Sequence, residues 1–231
     1  MKDKKIIAII PARGGSKRIP RKNIKLLAGK PLVFYTIKAA LKSKYLDRII
    51  VSTEDKEIEG ITKKYGSEVI KRPKALAKDK SPTIDVVFHI LGVLEKEDYK
   101  PEAVVLLQPT SPLRATEDID EAVRIFLNQD CKSVVSVCQY AHSPYWFFKI
   151  EKKRLKPLLG RKYFQLQSQD LPPVYLPNGA VFVASPETLL KYRGFDNNDK
   201  ILPYIMPSQR SIDIDEELDF KLAELIIQNR T

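Results

Sequence analysis

Near the start of the chain, the apolar run Ile6-Ile7-Ala8-Ile9-Ile10 leads directly into Pro11-Ala12-Arg13-Gly14-Gly15-Ser16-Lys17-Arg18-Ile19-Pro20-Arg21-Lys22-Asn23. Five consecutive apolar residues bounded by turn signals predict a buried strand. A continuous apolar strand is typical of a parallel sheet covered on both faces. Because ligands bind beyond the carboxyl ends of such strands, the glycine pair and the cations stand where a site is expected.

Strand-like and helix-like segments alternate along the rest of the chain. Strands are predicted at residues 48–52, 104–107, 133–137 and 180–184, and helices at 31–43 and 84–95, after Thr116 as an N-cap, and at the C-terminus. In the first helix we expect a buried face made by Val33, Ile37, Ala40 and Leu41, and in the last helix one made by Leu218, Leu222, Leu225 and Ile226. The pattern predicts an α/β fold in three α/β/α layers with a mainly parallel sheet.

The length of 231 residues and the 43% hydrophobic content suit one domain over residues 1–231. Residues 140–175, called the excursion here, break the alternation and hold eight of the twenty aromatic residues together with Pro172-Pro173. These aromatics either pack as a satellite cluster within the subunit or form a subunit interface. The interface is the favoured interpretation.

The formal net charge of +11 raises the alternative of a basic nucleic-acid-binding module. Much of the charge is scattered in surface-type stretches such as Lys152-Lys153-Arg154, which favours a solvated face instead. No run approaches the roughly 18 apolar residues of a membrane helix, and the first residues lack a signal-peptide pattern. We therefore expect a cytoplasmic protein that binds neither membrane nor nucleic acid.

Residues 11–23, called the basic loop, predict an anion site. Glycines allow a ligand to approach the backbone closely, and successive N–H groups form an anion-binding concavity. Five cations would face that anion: Arg13, Lys17, Arg18, Arg21 and Lys22. The spacing fits neither G-x-x-x-x-G-K-[ST] nor G-x-G-x-x-G, so a polyphosphate outside the standard ATPase and dinucleotide sites is indicated. The alternative is a flexible basic surface loop.

Five ordered motifs carry a resemblance to a known family. They are Arg13-Gly14-Gly15-Ser16-Lys17 with Lys22-Asn23, Arg72-Pro73, the segment 107–114 (LQPTSPLR), Pro177-Asn178-Gly179-Ala180, and Ser211-Ile212-Asp213-Ile214-Asp215. Together they closely resemble the acylneuraminate cytidylyltransferases, also called CMP-sialic acid synthetases. The resemblance extends along almost the whole chain.

The resemblance implies a Rossmann-like nucleotidyltransferase fold in which the excursion serves dimerisation. It implies transfer of CMP from CTP to the anomeric hydroxyl of a nonulosonic acid, with release of pyrophosphate. It also implies Mg²⁺ as cofactor and a homodimer in which the excursion reaches the neighbouring active site. A Kdo cytidylyltransferase is an alternative with the same fold and chemistry, although its basic loop lacks the extension Lys22-Asn23.

The same resemblance assigns roles to individual residues. It places the nucleotide at Arg13, Gly14, Gly15, Ser16, Lys17, Lys22, Asn23, Arg72 and Thr83. It gives the chemical step to Arg13, Lys17, Lys22, Asp213 and Asp215.

Asp213 and Asp215 are two residues apart, so on an extended segment both carboxylates project to one side and can hold a divalent cation. Alternatively, Asp215 caps the last helix and Asp213 is an ordinary surface acid. The resemblance implies that both aspartates are Mg²⁺ ligands.

The resemblance implies Asn178 and Gly179 as contacts of the sugar acid, and Gln108 as a contact of the sugar acid or the nucleotide. Phe182 and Phe195 are candidate walls of the sugar pocket. Gln108 could instead bond the turn that follows it, and aromatic residues near a strand are more often core. One position departs from the family, because Ser168 stands where an arginine that binds the sugar is common. The sequence therefore leaves open whether the substrate is N-acetylneuraminic, legionaminic or pseudaminic acid.

Overall fold

A computed structural model describes residues 4–140 and 142–229, so residues 1–3, 141 and 230–231 of the predicted domain lie outside it. The strands are β1 (Ile6–Pro11), β2 (Leu26–Leu27), β3 (Lys30–Pro31), β4 (Arg48–Thr53), β5 (Glu68–Lys71), β6 (Ala103–Leu106), β7 (Ser133–Gln139), β8 (Phe148–Glu151), β9 (Arg154–Pro157), β10 (Tyr175–Ala184) and β11 (Ile201–Ile205). The helices are α1 (Leu32–Leu41), α2 (Lys56–Lys64), α3 (Thr83–Lys96), α4 (Thr116–Asn128), α5 (Pro186–Tyr192) and α6 (Glu217–Gln228). Among these described residues, no helix combines the length and the hydropathy that crossing a bilayer requires.

The central sheet has seven strands in the order β11-β7-β10-β6-β1-β4-β5. Strand β10 runs antiparallel to both of its neighbours, and the other pairs in the sheet are parallel. The predicted α/β class with a mainly parallel sheet is confirmed. The basic loop, Arg72 and Gln108 follow the carboxyl ends of β1, β5 and β6 respectively.

Strand β1 is buried on both faces because its side chains alternate between two helical layers. Ile6, Ala8 and Ile10 pack in one cluster with α1 and α4 residues, while Ile7 and Ile9 pack in another with α3 and α5 residues. A third cluster joins the basic loop to α6 through Ile19, Leu27, Leu32, Leu113, Ile214, Phe220 and Ala223. These three clusters form the core, and the last of them fixes the loop on the sheet edge.

The start of α4 differs from the prediction. Thr116 is the first helical residue, and Ala115 occupies the N-cap position. Asp118 accepts a hydrogen bond from the Ala115 N–H at 2.8 Å, while the Thr116 hydroxyl donates to the carbonyl of Ala39 at 3.0 Å. The predicted Thr116 cap is therefore wrong, because an acid three residues further on satisfies the helix terminus instead.

The buried face of α6 matches the prediction only at Ile226, which packs against the third cluster. Leu218 is 74% exposed, and Leu222 and Leu225 are exposed as well, whereas Phe220 and Ala223 are buried. Leu41 at the end of α1 is likewise exposed. Both helices carry apolar residues on more than one face, and periodicity alone does not decide which face meets the core.

The excursion leaves the sheet between β7 and β10. It contains the antiparallel hairpin β8-β9 and two aromatic pairs, Phe148 with Phe164 and Tyr145 with Tyr163, whose ring centroids lie 4.6 and 4.5 Å apart. These pairs form the satellite cluster that the sequence offered as the alternative to a subunit interface. An apolar face remains open beside it.

Candidate active site

A cleft of about 580 Å³ lies at the carboxyl ends of the parallel strands. Ten of the predicted site residues line it: Arg13, Ser16, Lys17, Lys22, Asn23, Arg72, Thr83, Gln108, Asp213 and Asp215. The basic loop and the paired aspartates, nearly 200 residues apart in the chain, thus share one cavity. Ser81, Lys78 and Asp79 line the cleft too. No pattern in the sequence indicated a functional role for Lys78 or Asp79.

The basic loop is held in shape from behind. The Gly14 N–H donates to Glu54 Oε1 at 2.7 Å, and the amide of the buried Asn23 donates to the carbonyl of Arg13 at 2.8 Å. A Cβ at Gly14 would lie 2.6 Å from Asp55 Oδ2, whereas one at Gly15 would meet nothing within 4 Å. Gly14 is therefore required by the packing of the loop, and Asn23 braces the loop from the rim of the cleft.

Arg21 does not face the cleft as predicted. Its guanidinium binds Asp55 and also Glu57, the latter at 2.6 Å. Asp55 in turn caps α2 by accepting from the N–H groups of Glu57 and Ile58. Hydrogen bonding to Arg21 is the main reason why the pKa of Asp55 lies below its ordinary value. Arg21 thus anchors the loop to α2, and its charge belongs to that contact.

The other loop cations do face the cleft. Arg13 and Lys17 both bind Asp79, at 2.8 and 2.7 Å, and Arg18 binds Asp215 at 2.9 Å. The ammonium of Lys22 is more enclosed and donates to the carbonyl of Ile214 at 2.6 Å. Burial lowers the pKa of Lys22, although Asp215 and Asp213 act in the opposite direction. Four positive charges of the basic loop therefore line the cleft, and Arg72 and Lys78 add two more.

Arg72 is buried and reaches the cleft from β5. Its guanidinium donates to the carbonyl and the hydroxyl of Ser52 at 2.8 and 3.2 Å. Burial lowers the pKa of Arg72, and the charge of Glu54 partly offsets that effect. An arginine held in this way is a fixed positive charge in a poorly solvated wall.

The two aspartates flank Ile214 in a segment without regular secondary structure. The Ile214 N–H donates to the carbonyl of Thr110 at 2.8 Å, and the Ile214 side chain is buried. The flanking carboxylates of Asp213 and Asp215 consequently project toward the cleft. The Asp213 side chain keeps contact with solvent, but the surrounding protein partly desolvates its carboxylate. This desolvation raises the pKa of Asp213, and a hydrogen bond from Thr110 partly offsets the rise.

The alternative role of Asp215 as a helix cap is wrong. Helix α6 begins at Glu217, and its first turn is closed by Asp219, which accepts from the N–H groups of Asp215 and Glu216 at 3.0 and 2.8 Å. The Asp215 carboxylate is therefore free to face Arg18 and the cleft. Asp215 thus lines the cleft together with Asp213, as a pair of metal ligands would.

The donor set fits Mg²⁺. Two carboxylates face the cleft from alternate residues, and no cluster of three His, Cys, Asp or Glu side chains suited to a metal occurs in residues 4–140 and 142–229. Magnesium commonly takes one or two protein carboxylates and completes its shell with substrate phosphates and water. Sites of this kind need no further protein ligand.

Gly179 brings strand β10 against the floor of the cleft. Its φ is +72°, a left-handed conformation, and a Cβ there would lie 2.6 Å from Gln108 Oε1 and 3.4 Å from Asp213 Oδ2. The pairing of β10 with β7 shifts register between Pro177 and Phe182. The irregularity and the missing side chain together make room for Gln108 and Asp213.

Three predicted sugar contacts lie elsewhere. The buried amide of Asn178 donates to Ser211 Oγ at 2.9 Å and accepts from Ser136 Oγ at 2.6 Å, so it ties β10 to β7 and to the aspartate segment. Phe182 and Phe195 pack against each other, 5.8 Å between centroids, within the core cluster of α3 and α5. The structure places none of the three among the cleft-lining residues.

Arg114 holds two walls of the cleft together. It is buried and donates to the carbonyl of Ala180 at 2.7 Å, to that of Gln108 at 3.3 Å and to the Thr36 hydroxyl at 2.6 Å. Burial lowers its pKa to about 9. Arg114 ends the motif 107–114, but nothing in the sequence indicated its role. The role in joining two walls depends on contacts that only the folded chain contains.

A second buried centre, also missed, positions the aspartate segment. The fully buried carboxylate of Asp118 accepts from Arg210 at 2.9 and 2.7 Å and from the Tyr204 hydroxyl at 2.8 Å. Arg210 precedes Asp213 by three residues, so this ion pair fixes the start of the segment on α4. A carboxylate inside a helix gave no signal for such a role.

Ser168 lines a different cavity. Together with Gln139, Tyr140, Met206 and Gln209 it borders a space of about 790 Å³ between the excursion and the end of β11. The position of the family arginine is therefore outside the 580 Å³ cleft of its own subunit.

Comparisons with known proteins point in one direction. The family profile described as Cytidylyltransferase matches residues 7–160. The chain is 38% identical to a CMP-N,N'-diacetyllegionaminic acid synthase of Legionella pneumophila, over 97% of each chain. It is 36% identical over 98% of its length to an N-acylneuraminate cytidylyltransferase of Escherichia coli, of which it covers 53%. It is 30% identical to a pseudaminic acid cytidylyltransferase of Campylobacter jejuni, over 96% of each. The chain thus spans the length of some relatives and about half the length of others.

Solved structures share the fold at low identity. One is a CMP:2-keto-3-deoxy-manno-octonic acid synthetase complexed with CTP, with a TM-score of 0.72 and 14% identity, over 98% of this chain and 100% of the other. Another is a 4-diphosphocytidyl-2C-methyl-D-erythritol synthase from Anaerococcus prevotii, with a TM-score of 0.64 and 16% identity, over 98% and 97%. At this identity the likeness concerns the architecture alone.

Proposed function

Because the chain belongs to the cytidylyltransferase family, we propose that it transfers CMP from CTP to the anomeric hydroxyl of a nonulosonic acid and releases pyrophosphate. The family resemblance inferred from the five motifs is confirmed. One observation carries the proposal for this chain: the basic loop and the paired aspartates face each other across a single cleft. A triphosphate and its metal need such an arrangement.

The substrate class rests on the relatives. The three relatives described above act, by their names, on legionaminic, N-acylneuraminic or pseudaminic acid. The Kdo synthetase is similar at 14% identity, so the nonulosonic acids are favoured over Kdo. The serine at position 168 removes one candidate partner of the sugar carboxylate, which makes the choice among the three acids a matter for experiment.

The residues of the cleft would act by alignment and charge neutralisation, as is usual in phosphoryl-type transfers. Arg13, Lys17 and Lys22 would stabilise negative charge that builds on the leaving pyrophosphate. Held by Asp213 and Asp215, Mg²⁺ would supply further neutralisation at the phosphates and a lower pKa for the attacking hydroxyl. Gln108 and Asp213 both approach Gly179 at the cleft, and Gln108 would orient the sugar acid.

A substrate screen tests the proposal. The protein is incubated with CTP, Mg²⁺ and a panel containing the three nonulosonic acids and Kdo, and product mass and pyrophosphate are measured. We expect a CMP-sugar with at least one nonulosonic acid and less with Kdo. Product with Kdo alone would favour the alternative enzyme. No product with any acid, together with steeply salt-dependent nucleic-acid binding that CTP leaves unchanged, would favour the basic binding module.

We also propose that the chain forms a homodimer through the excursion. Ile150 and Leu155 are direct cross-strand neighbours on the hairpin β8-β9 and are 75% and 62% exposed. Phe148 and Leu158 are exposed next to them. Apolar surface concentrated on a protruding hairpin is suited to a subunit interface. The cytoplasmic location expected from the sequence stays a prediction.

A further inference from the structure

Asp79 lies where a phosphate would be expected. It belongs to the segment between β5 and α3, and its two carboxylate oxygens separately bind Arg13 and Lys17, at 2.8 and 2.7 Å. All three side chains line the same cleft. A carboxylate that bridges two cations copies the contacts that an oxyanion ligand would make with them.

The contact is suited to exchange. The side chains of Arg13, Lys17 and Asp79 are 33%, 81% and 41% exposed, so water and competing anions reach the pair. Hydrogen bonds from Lys17 and then Arg13 hold the pKa of Asp79 below its ordinary value, so the group is an anion at neutral pH. Exposed ion pairs are weak, and a multiply charged ligand can displace one.

We propose that Asp79 is an internal competitor for the leaving-group site: it occupies Arg13 and Lys17 between turnovers, yields them to the terminal phosphates of CTP, and favours the release of pyrophosphate by taking them back. The inference rests on the proposed function. Asp79 touches no reacting atom in this scheme and acts through the two cations as a positioning residue.

The identity of the cations that Asp79 holds determines which ligands it competes with. A ligand that needs Arg13 and Lys17 must break two ion pairs, and the cost enters its affinity directly. A ligand that does not need them, such as CMP, incurs no such cost. Asp79 therefore lowers the affinities for CTP and pyrophosphate by a similar factor and leaves the affinity for CMP unchanged. A general change of net charge would strengthen the binding of all three ligands, and the gain for CMP would be smaller only in proportion to its lower charge.

The test compares Asp79→Asn with the wild type by calorimetric titration of pyrophosphate, CTP and CMP without divalent metal. Asp130→Asn is the matched control, because it also removes one negative charge from an exposed acid, one that pairs with Lys200 at 2.6 Å on another part of the surface. Two exposed ion pairs correspond to a gain of about three- to tenfold in affinity.

We expect Asp79→Asn to bind pyrophosphate and CTP about three- to tenfold more tightly and CMP unchanged, with the gain shrinking at high salt. Pyrophosphate should also become a stronger product inhibitor. Pyrophosphate affinity that is unchanged or weaker, or an equal gain for CMP or in Asp130→Asn, would overturn the inference while leaving the proposed function intact. A wild-type protein that binds neither CTP nor pyrophosphate would overturn both.

Discussion

The basic loop and the hairpin β8-β9 are both rich in lysine and arginine, yet of the two only the loop lines the cleft. The loop cations bind partners far away in the chain, such as Arg21 with Asp55 and Lys22 with the Ile214 carbonyl. In the hairpin, Lys149 and Lys156 both pair with Glu151 of the same hairpin. Long-range partners fix charges relative to the sheet, whereas local pairs fix only the hairpin. Charge density alone therefore does not define a binding site.

The largest effect is expected when a loop lysine and a hairpin lysine are compared directly. Lys22→Met should lower kcat/KM for CTP about 10²- to 10³-fold, because an enclosed positive charge beside the aspartates is lost. Lys156→Met should change it by less than about twofold, as expected for an exposed pair. Steady-state kinetics measures both. An equal loss in the hairpin variant would contradict the contrast and indicate that the hairpin completes a partner's site.

Asp213→Asn should separate activity from stability. Because burial raises the pKa of Asp213, the folded state binds a proton more readily than the unfolded state, and stability falls as pH rises from the ordinary value of 3.8 through the folded pKa. The variant lacks this fall and should be no less stable than the wild type at neutral pH, while activity drops about 10²-fold or more. Thermal unfolding against pH, with parallel assays, checks this. A variant less stable at neutral pH would contradict the assigned desolvation.

The two loop glycines offer a matched pair for the packing of the loop. Gly14→Ala places a methyl group 2.6 Å from Asp55 Oδ2, so we expect a loss of about 1–3 kcal/mol in the free energy of unfolding. Gly15→Ala meets nothing within 4 Å and should stay within about 0.5 kcal/mol. Denaturant unfolding measures the difference. Equal free energies of unfolding for the two variants would show that the close approach of Asp55 to Gly14 does not constrain the loop.

The smallest effect on the fold is expected at the hairpin tip. Ile150→Glu alters an exposed side chain, so the free energy of unfolding of the subunit should change by about 0.5 kcal/mol or less. The molar mass from light scattering should nevertheless fall to that of a monomer, because a charge is costly in an apolar interface. Lys149→Glu is a more severe control, because it places a carboxylate on the neighbouring residue, changes the net charge by two units instead of one and removes the ion pair with Glu151. It should nevertheless leave the dimer intact. A dimer that persists in Ile150→Glu would place the interface elsewhere.

The local sequence pattern was sufficient to predict much of the fold of this protein. The run Ile6 to Ile10 predicted a strand buried on two faces, and the positions of Arg13 and Gln108 after apolar strands predicted one ligand edge. The family resemblance, not local pattern, added Asp213 to that site. These predictions succeeded because hydrophobic period and strand polarity are properties of neighbouring residues, and they constrain the sheet before any long-range contact forms.

Other features depended on contacts that no local pattern contains. The choice of Phe220 over Leu218 for the core, the diversion of Arg21 to Asp55, and the carboxylate of Asp118 beneath Arg210 each join segments remote in the chain. So does Asp79, which faces Arg13 only because β5 lies two strands from β1. Burial and charge pairing depend on distances in space between remote segments. They are therefore determined by the tertiary structure and not by local sequence.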